Sequence, residues 1–297
     1  MATLLTGKPV VERMAQGLAP RIDALVQAGV MPTLALVRVG ERPDDLSYER
    51  TAVKRAEALG IAVRRTMLDE LAPQEALEAA LIELNCDSDV HGCLLFRPLP
   101  SFMDEGRVCE LLVPDKDVDG ITLASLASVF TDGRTGFPPS TAAACLEMLD
   151  HYGIPVAGKH VVVVGRSLVI GKPVSMMLLR RNASVTICHS KTEDLARLCA
   201  SADIVVCATG RARAFGAEFF SPGQTVLDVG INFDTQGKLC GDVDFEAVEP
   251  VVGAITPVPA GIGSVTTSVT MAHTVEAAER AAAHRGLLGP AACGNGR

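Results

Sequence analysis

A chain of 297 residues, 48% of them hydrophobic, suffices for one large domain or two medium ones. Its formal net charge of −8, with no long basic run, weighs against nucleic acid as the main partner but leaves room for an anionic small molecule held by local cations. Nine cysteines without a C-x-x-C, several in apolar segments (Cys93, Cys145, Cys207), fit buried reduced thiols in a soluble cytoplasmic protein, and no apolar segment reaches membrane-span length.

The first half alternates helix and strand. Lys8 to Ala28 has helical apolar spacing and stops at Gly29. "TLALVRV" (Thr33 to Val39) reads as a strand, and "DDLSYERTAVKRAEAL" as an amphipathic helix with Pro43 at its start and Gly60 at its end. "IAVRRTML" predicts a strand, "PQEALEAALIELN" a helix with Pro73 in its first turn, and "VHGCLLF" (Val90 to Phe96) a third strand. Successive βα units of this kind give a mostly parallel sheet and an α/β fold. After "RPLPSFMDE", a helix to Leu112 and the polar loop "VPDKDVDG", two more helices lead into "GKHVVVVGRSLVIGKPVSMMLL". Three further strands follow, in "ASVTICHS", "ADIVVCATG" and "QTVLDVGIN", and a last helix runs from about Ser264 to His284. The Gly- and Pro-rich stretch Phe130 to Ser140 is the expected break between two domains. The end, "GPAACGNGR", reads as a disordered tail.

"VVVVGRSLVIGKP" is the clearest chemical signal. Four valines make a buried strand, Gly165 permits a sharp turn, and Gly171 lets the next helix pack close. N–H groups at that helix start can hold a phosphate. The spacing is not G-x-G-x-x-G, because Ser167 stands where the second glycine belongs, so a plain strand-turn-helix is the bland alternative. An NAD site usually has an acid at the end of the second strand, about 20 residues on. Here that strand ends in His189, Ser190 and Lys191, with Arg166 in the turn. Cations without the acid suit a 2′-phosphate, hence NADP rather than NAD; solvated cations are the plain reading.

"PDKDVDG" groups three aspartates around a lysine, but without the spacing of a calcium loop, and a solvated turn is the commonest meaning of such a string. No metal is expected. "TPVPAGIGSVTTSVT" suits a loop closing on a ligand, or a helix cap.

Taken in order, "VGERPDDLSYERTAVKRAEALGI", "RPLPSFMDE", "PDKDVDG", "VVVVGRSLVIGKP", "ADIVVCATG", "LDVGIN", "GDVDF" and "AITPVPAGIGSVTT" resemble the bifunctional methylenetetrahydrofolate dehydrogenase/cyclohydrolase family, the FolD type, from about Val37 to His284. The resemblance implies two α/β domains with a cleft between. The folate-binding domain would be 1–135, completed by helix 264–285, and a Rossmann-like NADP-binding domain would be 136–263, ahead of a tail at 286–297. It implies a homodimer, tetrahydrofolate derivatives as partners, and no nucleic acid or membrane. The family oxidises 5,10-methylenetetrahydrofolate with NADP, then hydrolyses the methenyl product. Tyr48 would stack on folate and Asp119 would bond the pterin; these two are expected in catalysis. Arg55, Phe96, Pro98, Pro257 and Gly261 would border the substrate. Gly165, Arg166, Ser167, Gly171, Ser190, Lys191, Thr209 and Ile231 would meet the cofactor.

The departures are specific. The family's lysine, four residues after its tyrosine, is Ala52 here, and the glutamine that partners it is Phe96, followed by Arg97. The usual Asp before the strand glycine is His91; "GGVGP" has become "AGIGS" and "PCTP" has become "PSTA". At about 100° per residue, Lys54 points elsewhere, whereas Arg55 shares the tyrosine's face but is too basic to serve as a base. Hydride transfer needs no protein base and hydrolysis does, so the expectation is a dehydrogenase with weak or absent cyclohydrolase activity, His91 and Asp119 being the candidate substitute bases. A reductase of another small substrate on the same scaffold, and a non-catalytic folate-binding protein, are the competing readings.

Overall fold

The structure, a computed structural model, describes residues 1–288, and the tail read from "GPAACGNGR" lies outside them. Two compact units are formed. One comprises Met14–Ser128, Arg134–Phe137 and the chain from Thr270 onward; the other comprises Met1–Arg13, Val129–Gly133 and Pro138–Val269.

The chain opens with a two-residue strand, β1 (Thr3–Leu4), and helix α1 (Gly7–Gln27). Strand β2 (Thr33–Val39) is buried along its whole length, as its mostly apolar sequence favours. Helix α2 (Pro43–Leu59) starts on a proline and ends at Gly60, whose φ of 76° is the left-handed cap that glycine adopts without strain. Strand β3 (Ala62–Leu68), helix α3 (Gln74–Cys86) and strand β4 (Gly92–Leu95) follow. These three strands form a parallel sheet in the order β3-β2-β4. Its first strand is central, with later strands on either side, so the sheet reverses direction of winding between β2 and β4. The core on one of its faces gathers Leu18, Ile22, Leu34, Leu36, Ala52, Ala56, Leu94 and Phe96 with Met271 and Val275.

Short helix α4 (Glu105–Cys109) precedes the polar loop, which is a single 3-10 turn over Pro114–Lys116. Two of the charges in that loop hold backbone elements in place. Lys116 Nζ donates to the carbonyls of Leu84, Asn85 and Asp87 (2.7, 2.9 and 2.6 Å), closing the C-terminus of α3. Asp117, fully buried, accepts from Ile121 N, Thr122 N and Ser125 Oγ (2.9, 2.8 and 2.6 Å) and so starts helix α5 (Leu123–Thr131). A parallel bridge pairs Asp117 with Cys93 of β4, and the chain then turns through Val118 and Asp119, with Gly120 N donating to Asp117 O at 3.3 Å.

In the other unit, helix α6 (Ser140–His151) leads to strand β5 (His160–Val164), helix α7 (Gly171–Arg180), strand β6 (Ser184–Cys188), helix α8 (Leu195–Ala200), and strands β7 (Ile204–Cys207) and β8 (Thr225–Asp228). Strands β9 (Asn232–Phe233) and β10 (Leu239–Cys240) make an antiparallel hairpin. Helix α9 (Phe245–Val248), strand β11 (Ala254–Ile255) and helix α10 (Ile262–His284) complete the described elements. The large sheet is parallel throughout, in the order β1-β11-β8-β7-β5-β6. Its winding reverses between β5 and β7, which makes it a doubly wound nucleotide-binding topology.

Candidate active site

In open α/β sheets, ligands lie outside the carboxyl ends of the strands at the reversal point. In the first unit that place lies beyond β2 and β4. Helix α2 leaves from β2 and brings Tyr48; Phe96 follows β4 directly and is held there by its N–H on Val37 O (2.9 Å). The Tyr48 and Phe96 rings meet edge to face with centroids 5.8 Å apart. Ala52, one turn after Tyr48, is 0% exposed and Phe96 5%, both in one apolar cluster against which Tyr48 packs. The two positions that a lysine and glutamine would hold are thus a closed hydrocarbon contact. Lys54 is exposed, and Arg55 is half-buried with its pKa lowered by desolvation.

The charges around Tyr48 are structural. Glu49, 8% exposed, accepts from Arg38 Nε at 3.1 Å and lies 3.5 Å from Arg65 Nε, tying α2 to β2 and β3. Asp45 receives a two-pronged bond from Arg42 (2.8 and 2.8 Å). Neither pairing was legible in the sequence, although a buried arginine in the middle of "TLALVRV" is a signal that an acid must be near. Arg97 lies 3.4 Å from Glu105, which also accepts Leu99 N at 2.8 Å, so Pro98 sits on an exposed turn pinned at both sides. Asp119 is partly buried.

His91 belongs elsewhere. It precedes β4, whereas Phe96 follows it, and five extended residues separate them by about 16 Å. His91 Nδ1 accepts Thr33 N at 3.2 Å, and the His91 backbone N–H donates to Thr33 O at 3.0 Å, so ring and backbone together fasten the amino ends of β2 and β4. It is 4% exposed, and burial, then the charges of Arg285 and Lys116, lower its pKa to about 4. This removes it as a substitute base for chemistry at Tyr48.

In the second unit, Gly165 follows β5 with φ 138°, and a Cβ there would strike Ala208 O; a Cβ on Gly171 would strike Gly165 O. The two glycines therefore bring turn, neighbouring strand and helix together as the sequence implies. Ser167 Oγ accepts Ile170 N (3.1 Å) and Gly171 N (3.5 Å), so it ties down the turn that enters α7 where a glycine was looked for. Arg166 and Ser167 are exposed beyond β5; Ser190 and Lys191 are exposed beyond β6, which pairs with β5 up to Val164–Cys188. Both cations thus leave adjacent strands at one sheet edge, and Glu193 is the first acid beyond.

Thr209 follows β7, and its hydroxyl is already committed to Asp242 Oδ2 at 2.9 Å. Ile231 is 63% exposed beyond β8. Asp242 and Asp228, missed in the sequence, lie beneath these two positions and are 0% and 4% exposed. Burial raises the Asp228 pKa to about 7, against bonds from Val243, Asp242 and Gly230 N–H and with a further push from Asp242's charge. The only advance signal was two acids in otherwise apolar stretches, "VLDVGIN" and "CGDVDF". Pro257 and Gly261 form the neck of one tight loop: a Cβ on Gly261 would strike Pro257 O. Ala260 within it adopts φ 76°, a left-handed conformation that explains a glycine in the "GGVGP" pattern.

A parallel sheet reversing over a glycine turn, with cations in place of the ribose-binding acid, defines a protein built to bind a phosphorylated dinucleotide. Residues 5–119 match the catalytic domain of tetrahydrofolate dehydrogenase/cyclohydrolase, and residues 139–282 match its NAD(P)-binding domain. The chain belongs to the tetrahydrofolate dehydrogenase/cyclohydrolase family. It is 50% identical over 281 residues to the "Bifunctional protein FolD" of Carboxydothermus hydrogenoformans, covering 94% of this chain and 98% of that one. Among solved structures it is similar to the bifunctional FolD of Campylobacter jejuni (34% identity, 94% and 99% of the chains, TM-score 0.91). It is similar also to the Trypanosoma brucei FolD complexed with NADP and an inhibitor (32% identity, 94% and 98%, TM-score 0.89).

Proposed function

We propose that the chain is an NADP-dependent methylenetetrahydrofolate dehydrogenase whose cyclohydrolase activity is weak or absent. The observation that carries the second half is the Tyr48–Phe96 ring contact beside fully buried Ala52. NADP, when bound, supplies the hydride acceptor. Gly165 and Gly171 shape the turn for the diphosphate, Arg166, Ser190 and Lys191 suit the 2′-phosphate, and Thr209 and Ile231 border the rest of the cofactor. We assign folate to the surface of Tyr48 and Asp119, bordered by Arg55, Phe96 and Pro98. We take the folate half as 1–135 with 264–285 and the cofactor half as 136–263.

Tyr48 offers a flat face for a folate ring, and its edge contact with Phe96 fixes the angle of that face. Asp119 presents an acceptor suited to pterin N–H donors. Oxidation of the one-carbon bridge asks no proton of the protein, since the folate nitrogens' lone pairs stabilise the developing cation. Hydrolysis of that cation requires a water to lose a proton, and general acid–base groups contribute about 10²–10⁴-fold to such steps. Phe96 and Ala52 offer no such group.

The test is an absorbance assay with methylenetetrahydrofolate and NADP or NAD. Methenyltetrahydrofolate should accumulate and decay little faster than in buffer. Hydrolysis keeping pace with hydride transfer would overturn the cyclohydrolase half; no oxidation with either cofactor would overturn the whole. Buried free thiols suit a reducing, cytoplasmic setting, and no helix among the described residues is long and apolar enough to cross a membrane. Exposed Leu179, Ile187 and Phe233 suit a homodimer, which light scattering would test.

A further inference from the structure

Eight hydrogen bonds converge on two buried carboxylates beneath the cofactor side of the large sheet. Asp242 Oδ2 accepts Thr209 N, Thr209 Oγ1 and Gly210 N, and its Oδ1 accepts Arg211 N and Asn232 Nδ2 (both 2.9 Å). Asp228 Oδ1 accepts Gly230 N and Asp242 N (both 3.0 Å), and its Oδ2 accepts Val243 N at 2.9 Å. Every donor is a backbone N–H, a hydroxyl or an amide; none is a cation. A structural charge that only needed neutralising would be met by a lysine or arginine. These carboxylates are used as multiple acceptors for turns that have no other regular structure. The chain makes room for them: a Cβ on Gly230 would strike the Asp242 carboxylate, and one on Gly241 the Asp228 carboxylate.

The turns so held are the one after β7 and the one after β8. The sheet order β8-β7-β5-β6 puts the ribose-side cations at β6 and the phosphate turn at β5. A dinucleotide crossing that edge from β6 reaches β7 and β8 with its other half. We propose that Asp242, with Asp228 fixing its backbone, is a positioning residue for the non-adenosine half of the cofactor. It acts by locking Thr209–Arg211 against Asn232. This rests on the cofactor reading above.

The experiment compares Asp242→Asn with the parent, measuring dissociation constants for NADP and for adenosine 2′,5′-bisphosphate, which carries only the adenosine half. Asn keeps the size but loses one of two acceptor oxygens, leaving buried donors unmet. NADP should weaken by about tenfold or more, the range set by losing buried hydrogen-bond partners. Bisphosphate affinity should stay within about twofold, because Arg166, Ser190 and Lys191 are untouched. Hydrogen exchange at Thr209–Arg211 should quicken. Equal weakening of both ligands would show a merely structural role, and no weakening of either would show no role; each overturns the proposal. If the parent binds NADP no better than buffer controls, the cofactor reading itself has failed. Should Asp242→Asn not fold, Asn232→Ala removes one donor of five, and the same split between the two ligands, smaller in size, decides.

Discussion

Ala52→Lys alone should fail, and the structure says by how much. Ala52 is 0% exposed and shares its cluster with Phe96 at 5% exposure. A lysine here brings three more methylenes and an ammonium into a filled space. Overpacking a close-packed site costs about 1–3 kcal/mol. An ammonium without a partner in apolar surroundings has its pKa lowered by up to about 3–5 units. At about 1.4 kcal/mol per unit, that adds several kcal/mol at neutral pH unless the chain bends out to water. A net loss of at least about 3 kcal/mol follows, large beside a typical total of about 5–15 kcal/mol. Phe96→Gln, made together with Ala52→Lys, frees volume and supplies an amide oxygen to the ammonium, so the double variant should recover about half of the loss or more. Urea unfolding of the parent, both single variants and the double variant measures the coupling, and decay of methenyltetrahydrofolate measures any gained hydrolysis. Ala52→Lys as stable as the parent and hydrolytically active would refute the reasoning, since it would mean the position opens to water.

Three other outcomes are expected. Arg166→Ala should lower kcat/KM for NADP more than for NAD; equal losses would remove Arg166 from 2′-phosphate recognition. Asp119→Ala should raise the folate KM, or reduce turnover, by an amount matching about 1–3 kcal/mol of unpaired pterin donors, while the NADP dissociation constant stays near the parent's; unchanged folate kinetics would refute the role. His91 should make the fold acid-sensitive. It folds neutral with a pKa of about 4, so from about pH 6.5 down to 4 the unfolded chain takes up the proton first. Stability is therefore full above the unfolded value and lost as pH falls through the folded one, a loss of up to about 3 kcal/mol. His91→Asn should flatten that slope; an unaltered slope would point to other groups.

The strands were legible where burial is two-sided. Thr33–Val39 and His160–Val164 are runs of β-branched and apolar residues bounded by Gly or Pro, and β2 has the bounds read from the sequence. The short elements were not: β1, β11, β9 and β10 hold two residues each, too few for any period to register. β1 and β11 exist because the large sheet offers an edge, a tertiary cause, and β9 and β10 because a short hairpin pairs them with each other. The same holds for charge. Asp45, Glu49 and Arg38 look like surface residues by type, and only the fold shows that each is buried against a partner.

Place along a strand decided function more sharply than residue type. His91 is the chemically attractive base and Phe96 the inert one, yet they stand at opposite ends of β4, and only the C-terminal end meets Tyr48. Within "PDKDVDG" Lys116, Asp117 and Asp119 part company in the same way. Lys116 and Asp117 are consumed by the ends of α3 and α5, and the bridge from Asp117 to Cys93 anchors to β4 the turn that carries Asp119. A solvated turn, the commonest reading of such a string, therefore accounts for neither residue: both are spent holding the backbone that carries Asp119. Substituting Asp117 would then disturb folate binding through Asp119 and unfold α5 at the same time, whereas substituting Asp119 should disturb folate binding with α5 still folded. That difference separates a residue that holds the site from one that forms it.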